Sequence, residues 1–264
     1  MKTNQQNKFS DKNSVLFTTS WDDGHILDIR VAEMLERYNL QGTFYVNQYR
    51  GDNNFLAPER IRELSSRFEI GAHTLTHPDL TKLNEQNLQE EIQGSKKYLE
   101  DILGKEVLMF CYPKGLYSEM VKRYVASAGF LGARTVVKYV FARPEDPFAM
   151  GTTVHAYPWP LRKKDAEHYL LGRHLFQPVE HDFGKFLKTA PPLRAFISWQ
   201  AYARHLFDYA LSHGDYFHLW GHSWEIEKYG MWEELDEFFR YASARLRDGV
   251  ISVSNSEIVK VDNG

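Results

Sequence analysis

Two adjacent aspartates, Asp22 and Asp23, end a short apolar run (Val15, Leu16, Phe17) and lead into Gly24 and His25. An apolar run that stops at two carboxylates and a glycine reads as a buried strand delivering acids to the rim of a sheet, where ligands bind in α/β folds. Successive strand side chains point in opposite directions, so one aspartate can hold a metal while its neighbour faces a substrate. For Asp22 taken alone, a turn carboxylate accepting backbone hydrogen bonds is an equally good reading.

His73 and His77 lie four residues apart, just after the run Phe68 to Ala72. In a helical turn this spacing puts both imidazoles on one side, and neutral imidazole is a common zinc ligand. Joined by Asp23, they make a two-histidine, one-carboxylate set that leaves positions for water and substrate, as a catalytic metal requires. Such chemistry needs a base for the water proton and an acid for the leaving group. Asp22 is placed for the first role. His222, after the run Tyr216 to Trp220, is placed for the second, although a rim histidine satisfied locally fits it as well.

The elements that must position these groups follow from periodicity. Ile26, Ile29, Val31, Ala32, Leu35 and Tyr38 fall at helical spacing up to Asn39, and Gln41 to Asn47 reads as a strand. This is a β-α-β unit with parallel strands. Pro58 suits the first turn of a helix running towards Arg67, and Asn84 and Gly104 cap a long one. Further strands are predicted over 107–111 and 130–136, with a helix from Ser118 to Gly129 between them. A helix over 193–212, a strand over 216–220, a helix over 231–247 and a closing strand over 250–253 complete the pattern. Residues 137–192 contain seven prolines and read as loops and short elements. Four strand-helix alternations by residue 136 imply a parallel sheet with helices outside it.

With 264 residues, 43% of them hydrophobic, the chain can bury one large core. The expected organisation is a disordered segment over 1–14 and a single catalytic domain over 15–264. A net charge of -3 gives no basic field for nucleic acid. The one cysteine, Cys111, excludes an intrachain disulfide. Met1 to Lys8 contain no apolar stretch for a signal peptide or anchor, so the expectation is a cytoplasmic protein without a membrane span. Length and charge leave the oligomeric state unknown.

Ser20-Trp21-Asp22-Asp23-Gly24, His73-Thr74-Leu75-Thr76-His77, Tyr112-Pro113-Lys114-Gly115 and Leu219-Trp220-Gly221-His222 resemble, in this order, the successive motifs of the polysaccharide deacetylase family, carbohydrate esterase family 4. The resemblance implies an α/β fold, a distorted (β/α) barrel with about seven strands, and a single divalent metal, often zinc. It implies hydrolytic removal of an N-acetyl group from an acetylated carbohydrate, an amino sugar or an oligosaccharide or polysaccharide precursor, and it also covers O-deacetylation and the hydrolysis of other amides. Carried across by position, Asp22 is the base, Asp23, His73 and His77 are the metal ligands, and His222 is the general acid. The backbone N–H of Lys114 falls where the family places an oxyanion donor.

One position departs from the family. The third motif usually opens with an arginine that grips the base, and Cys111 stands there. Arg134, at the end of the next predicted strand, is the nearest replacement, because adjacent parallel strands end side by side; a surface arginine is the alternative. Loss of the grip would instead suit a non-catalytic carbohydrate-binding or regulatory protein. Tyr112, Trp220 and Trp224 are candidate substrate contacts, and Glu225 could wall the pocket or orient the His222 ring. Cys111 itself reads as a small buried apolar residue. His155, His168, His174, His181, His205, His213 and His218 lack matching partners and receive no role.

Overall fold

A computed structural model describes residues 14–48, 52–158 and 183–262, with side chains to Lys260. The expected disorder over 1–14 therefore falls outside it, apart from Ser14, which is buried. So do His168, His174 and His181.

Eight strands carry the described fold: β1 (Val15–Trp21), β2 (Thr43–Val46), β3 (Glu69–Ala72), β4 (Met109–Cys111), β5 (Gly132–Arg134), β6 (Val154–His155), β7 (Tyr216–Gly221) and β8 (Val250–Ser252). They lie in the order β5-β4-β3-β2-β1-β7-β6, every pair parallel, with β8 beside the half of β1 that β2 does not reach. Helices α1 (Asp28–Arg37), α2 (Pro58–Ser65), α3 (Glu85–Leu103) and α4 (Glu119–Ser127) connect the first five strands.

The sheet curls, and its two edges meet. Met150 donates to Ala133 O and accepts from Thr135 at the edge of β5, while Thr153 and Ala156 donate to His218 O and Trp220 O on β7. Residues 150–156 therefore join the two edges, which is the α/β distorted barrel expected of the sequence.

Alternation along the strands sorts side chains into two cores. Leu16, Tyr45, Met109, Cys111, Met150 and Tyr216 cluster inside with Val253, Ile258 and Val259. The last two belong to α9 (Asn255–Asp262), so the C-terminal helix packs into this inner core. Phe17, Phe44, Phe110 and Phe217 face the other way, in the larger core shared with the helices.

Local signals read from the sequence act as expected. Asn84 accepts the Asn87 N–H at 2.9 Å and Gly104 takes φ 64°, closing α3 at both ends. The helix predicted over 193–212 is split instead. A single turn spans Leu193–Phe196, and α6 (Trp199–His213) starts afresh because Ser198 caps it, accepting the Ala201 N–H at 3.1 Å. The long C-terminal helix is shorter than predicted, as α8 (Trp232–Ser243). Three elements escape the periodicity argument: β6, with two residues in a proline-rich stretch, α7 (Ser223–Tyr229), directly after His222, and α9. Another short helix, α5 (Phe183–Lys188), precedes the Leu193 turn. Among the described residues no helix is long and apolar enough to cross a membrane.

Candidate active site

β1 delivers Asp22 and Asp23 to the barrel rim, and the backbone sends them apart. Asp23 takes φ 77° and Gly24 φ 66°. A side chain at Gly24 would put its Cβ 2.8 Å from Val46 Cγ1, so only glycine allows β1 to turn against β2 here. Asp22 is buried, 3% exposed, and turns inward. Asp23 reaches the rim.

Asp23 meets both predicted histidines. Its Oδ1 lies 3.7 Å from His73 Nε2 and 3.7 Å from His77 Nε2. The three ligand atoms fall within 4.8 Å of one another. These separations exceed hydrogen bonds and suit donors that share one ion about 2 Å from each. The His73 ring is prepared for that: Nδ1 lies 2.8 Å from Cys111 O, a group that can only accept, so Nδ1 carries the proton and Nε2 presents its lone pair. Burial lowers the His73 pKa against the pull of Asp22 and Asp23, which favours the neutral ligand form. The donor set thus fits a divalent ion such as zinc.

The histidine pair does not sit in a helical turn, as its spacing suggested. It flanks a tight loop with Thr74 at φ 67° and His77 at φ 58°. Glu91 of α3 holds this loop, accepting the Leu75 and Thr76 N–H groups at 2.9 Å each, and Thr74 Oγ1 accepts the His77 N–H at 3.0 Å. Asp23, Thr74, His77 and Lys114 are four of the seven described non-glycine residues at positive φ. Strained backbone of this kind concentrates at functional sites.

Arg134 makes a buried ion pair with Asp22 Oδ2 and also donates to Cys111 Sγ at 2.8 Å. It is fully buried, its guanidinium 4.8 Å from the centre of the Trp220 ring and 5.4 Å from that of Tyr45. The surface alternative is excluded. Burial alone would raise the Asp22 carboxyl, but Arg134, helped by His73 and His222, holds it down to about 2. Asp22 Oδ1, also buried, has no hydrogen-bond partner among the described residues. Burial drives the Cys111 thiol well up, so it stays protonated and inert.

His222 follows β7, with its Nε2 3.7 Å from Asp23 Oδ2. Its Nδ1 is 2.7 Å from Glu225 Oε2, and the same oxygen is 3.1 Å from His155 Nε2. Burial opposes the His222 cation, yet Glu225, Asp22 and Asp23 raise its pKa to about 9. Burial likewise pushes Glu225 up, while His155 and His222 bring it down to about 2. Ser223 donates to the buried Asp28 at 2.6 Å, tying the start of α7 to α1. His155, given no role from sequence, stacks on Trp220 at 3.9 Å between ring centres. Its only signal was a place in β6, an element too short to predict. His218, also given no role from sequence, lies buried on the predicted strand, β7, bonded to Ser20 Oγ at 2.8 Å and Tyr216 Oη at 2.7 Å.

The three aromatic candidates separate. Tyr112 is fully buried and donates to Phe148 O at 2.9 Å, so it has no surface to offer a substrate. Trp220 is 8% exposed, under His155. Trp224 donates its indole N–H to Asp23 Oδ2 at 3.1 Å and thereby orients the rim carboxylate. The Lys114 turn hangs on the Gly115 and Leu116 N–H groups, which donate to Tyr112 O at 2.9 Å and Pro113 O at 3.1 Å. Lys114 is left at φ 58°, its own N–H outside both bonds.

Known proteins share part of this sequence and its fold. The polysaccharide deacetylase profile matches residues 9–133. A Bacillus subtilis protein, YxkH, named as a polysaccharide deacetylase, is 26% identical over 148 residues, 55% of this chain and 52% of its own length. A peptidoglycan-N-acetylglucosamine deacetylase of Bacillus cereus is 27% identical over 121 residues, 45% of this chain and 55% of its own. The chain spans about half the length of these relatives. A structure from Mycobacterium smegmatis, also named as a polysaccharide deacetylase, superposes with a TM-score of 0.66 at 17% identity over 95% of this chain and 91% of that one, a likeness of fold. In its matched N-terminal half and in its barrel, the chain is similar to polysaccharide deacetylases.

Proposed function

We propose that this protein is a metal-dependent hydrolase, acting as a single catalytic domain over residues 15–264, that removes an N-acetyl group from an amino sugar or a precursor built from one. The observation that carries the reading is the division of labour between adjacent carboxylates: Asp22 has one oxygen on Arg134 and the other without a partner among the described residues, and Asp23 faces three histidines.

Asp23, His73 and His77 would hold the ion, as a zinc-type donor set. When bound, the ion supplies Lewis-acid chemistry, polarising an acyl carbonyl and acidifying water. Asp22, kept ionised by Arg134, accepts the proton of the attacking water at Oδ1. The Lys114 N–H donates to the oxyanion that develops on the carbonyl, a contribution of about 3 kcal/mol for one donor. His222, kept cationic by Glu225, delivers its proton from Nε2 to the departing amine. The Arg134 grip supports this enzyme reading over a binding-only protein, whose motivation was the missing arginine at position 111.

The test is acetate release from N-acetylated chito-oligosaccharides by zinc-loaded, metal-stripped and Asp22→Asn protein. Turnover only in the zinc-loaded wild type, with zinc still bound by Asp22→Asn, is the expected result. An active, metal-loaded Asp22→Asn protein would overturn the base.

A further inference from the structure

Among the described residues, 183–198 carry the main exposed apolar surface. α5 and the Leu193–Phe196 turn are held together from within: Phe186 meets Phe196 edge-on at 6.1 Å and Tyr202 of α6 at 6.3 Å, and His205 bonds Thr189 O at 2.8 Å. Ala195 is buried on the same inner side. The outer side should then be polar, as on an ordinary surface helix. It is not.

Phe183 is 60% exposed, Leu187 55%, Leu193 90% and Ile197 76%. They supply four of the seven large hydrophobic side chains exposed among the described residues. Phe183 and Leu187 are four apart on α5 and so share one side of it, while Leu193 opens the following turn and Ile197 closes it. The exposed residues between them include Lys185, Lys188 and Arg194. Across residues 183–198 there is no Asp or Glu, although the whole chain has a net charge of -3.

Large apolar side chains interleaved with cations, in a stretch free of anions, match the boundary of an anionic lipid bilayer. The apolar groups enter the acyl region and the cations stay with the headgroups. A protein partner would need no such one-sided charge. We propose that this face is a peripheral attachment site for anionic lipid bilayers, on which α5 and the Leu193 turn lie without crossing. This inference stands apart from the hydrolytic reading and does not depend on it.

Co-sedimentation of the full chain with vesicles tests it, comparing phosphatidylcholine mixed with phosphatidylglycerol against phosphatidylcholine alone, at low and raised salt. The chain should sediment with the mixed vesicles only, and less at raised salt. Lys188→Glu should weaken binding at least about fivefold, and Leu193→Ser and Ile197→Ser about tenfold each. Because these side chains are exposed, the variants should keep the wild-type circular dichroism and thermal midpoint. Absence of binding to mixed vesicles at low salt would overturn the proposal, as would binding indifferent to all three substitutions. Self-association in analytical ultracentrifugation that Leu193→Ser abolishes, without vesicle binding, would assign the face to a second copy of the chain.

Discussion

Arg134 and Cys111 stand in register on neighbouring strands, and it is the arginine that reaches across the barrel to Asp22. The short thiol leaves room for the guanidinium, which also donates to Cys111 Sγ. Removing the guanidinium leaves Asp22 buried without its counter-charge. Arg134→Gln should therefore cost about 3–5 kcal/mol of stability and most of the turnover. Cys111→Ser should keep both. Chemical denaturation and acetate release measure the two effects, and a fully active Arg134→Gln protein would remove Arg134 from the site.

Glu91 touches none of the donor atoms but holds the loop between His73 and His77. Glu91→Gln should weaken zinc binding by about 10–100-fold, the usual cost of losing a supporting partner. His77→Ala should weaken it further. Competition against a chromogenic chelator reads both, and stripping zinc should abolish activity in a way that adding it back restores.

Glu225 is shared by His222 and His155. Glu225→Gln removes the charge that raises the His222 pKa to about 9 and should lower kcat by about tenfold or more, leaving KM little changed. Equal losses in Glu225→Gln and Glu225→Asp would show that packing, not charge and reach, is at stake.

His218 is buried neutral, its pKa driven well below the ordinary 6.5 by burial and by Arg134. In the unfolded chain it takes up a proton near 6.5, so below that pH the unfolded state binds more protons and stability falls; above it this contribution is constant. Urea titrations between about pH 7 and 5 should show that decline. His218→Gln, if it folds, should show a flatter one.

Much of this was legible in the sequence, for identifiable reasons. Asn84, Gly104 and Ser118 act locally, and local capping bonds depend on residue type alone. The Asp22–Asp23 corner was readable because strand alternation separates neighbouring side chains. The histidine loop was not, since its conformation depends on Glu91, fourteen residues beyond His77 in the sequence and on another element. His155 escaped because its partner Glu225 lies 70 positions away. Tyr112 reads as a substrate contact because it opens the third motif, but its ring is buried and its hydroxyl is spent on Phe148 O.

The ring closes where residues 150–156 bond to β7 and to β5, the strand that carries Arg134. The histidine loop is held by a contact spanning 16 residues, whereas the grip on Asp22 spans 112. A partly assembled chain can thus possess its donor loop while its base hangs unanchored. Asp22 is thus held in place only where the two ends of the sheet have met.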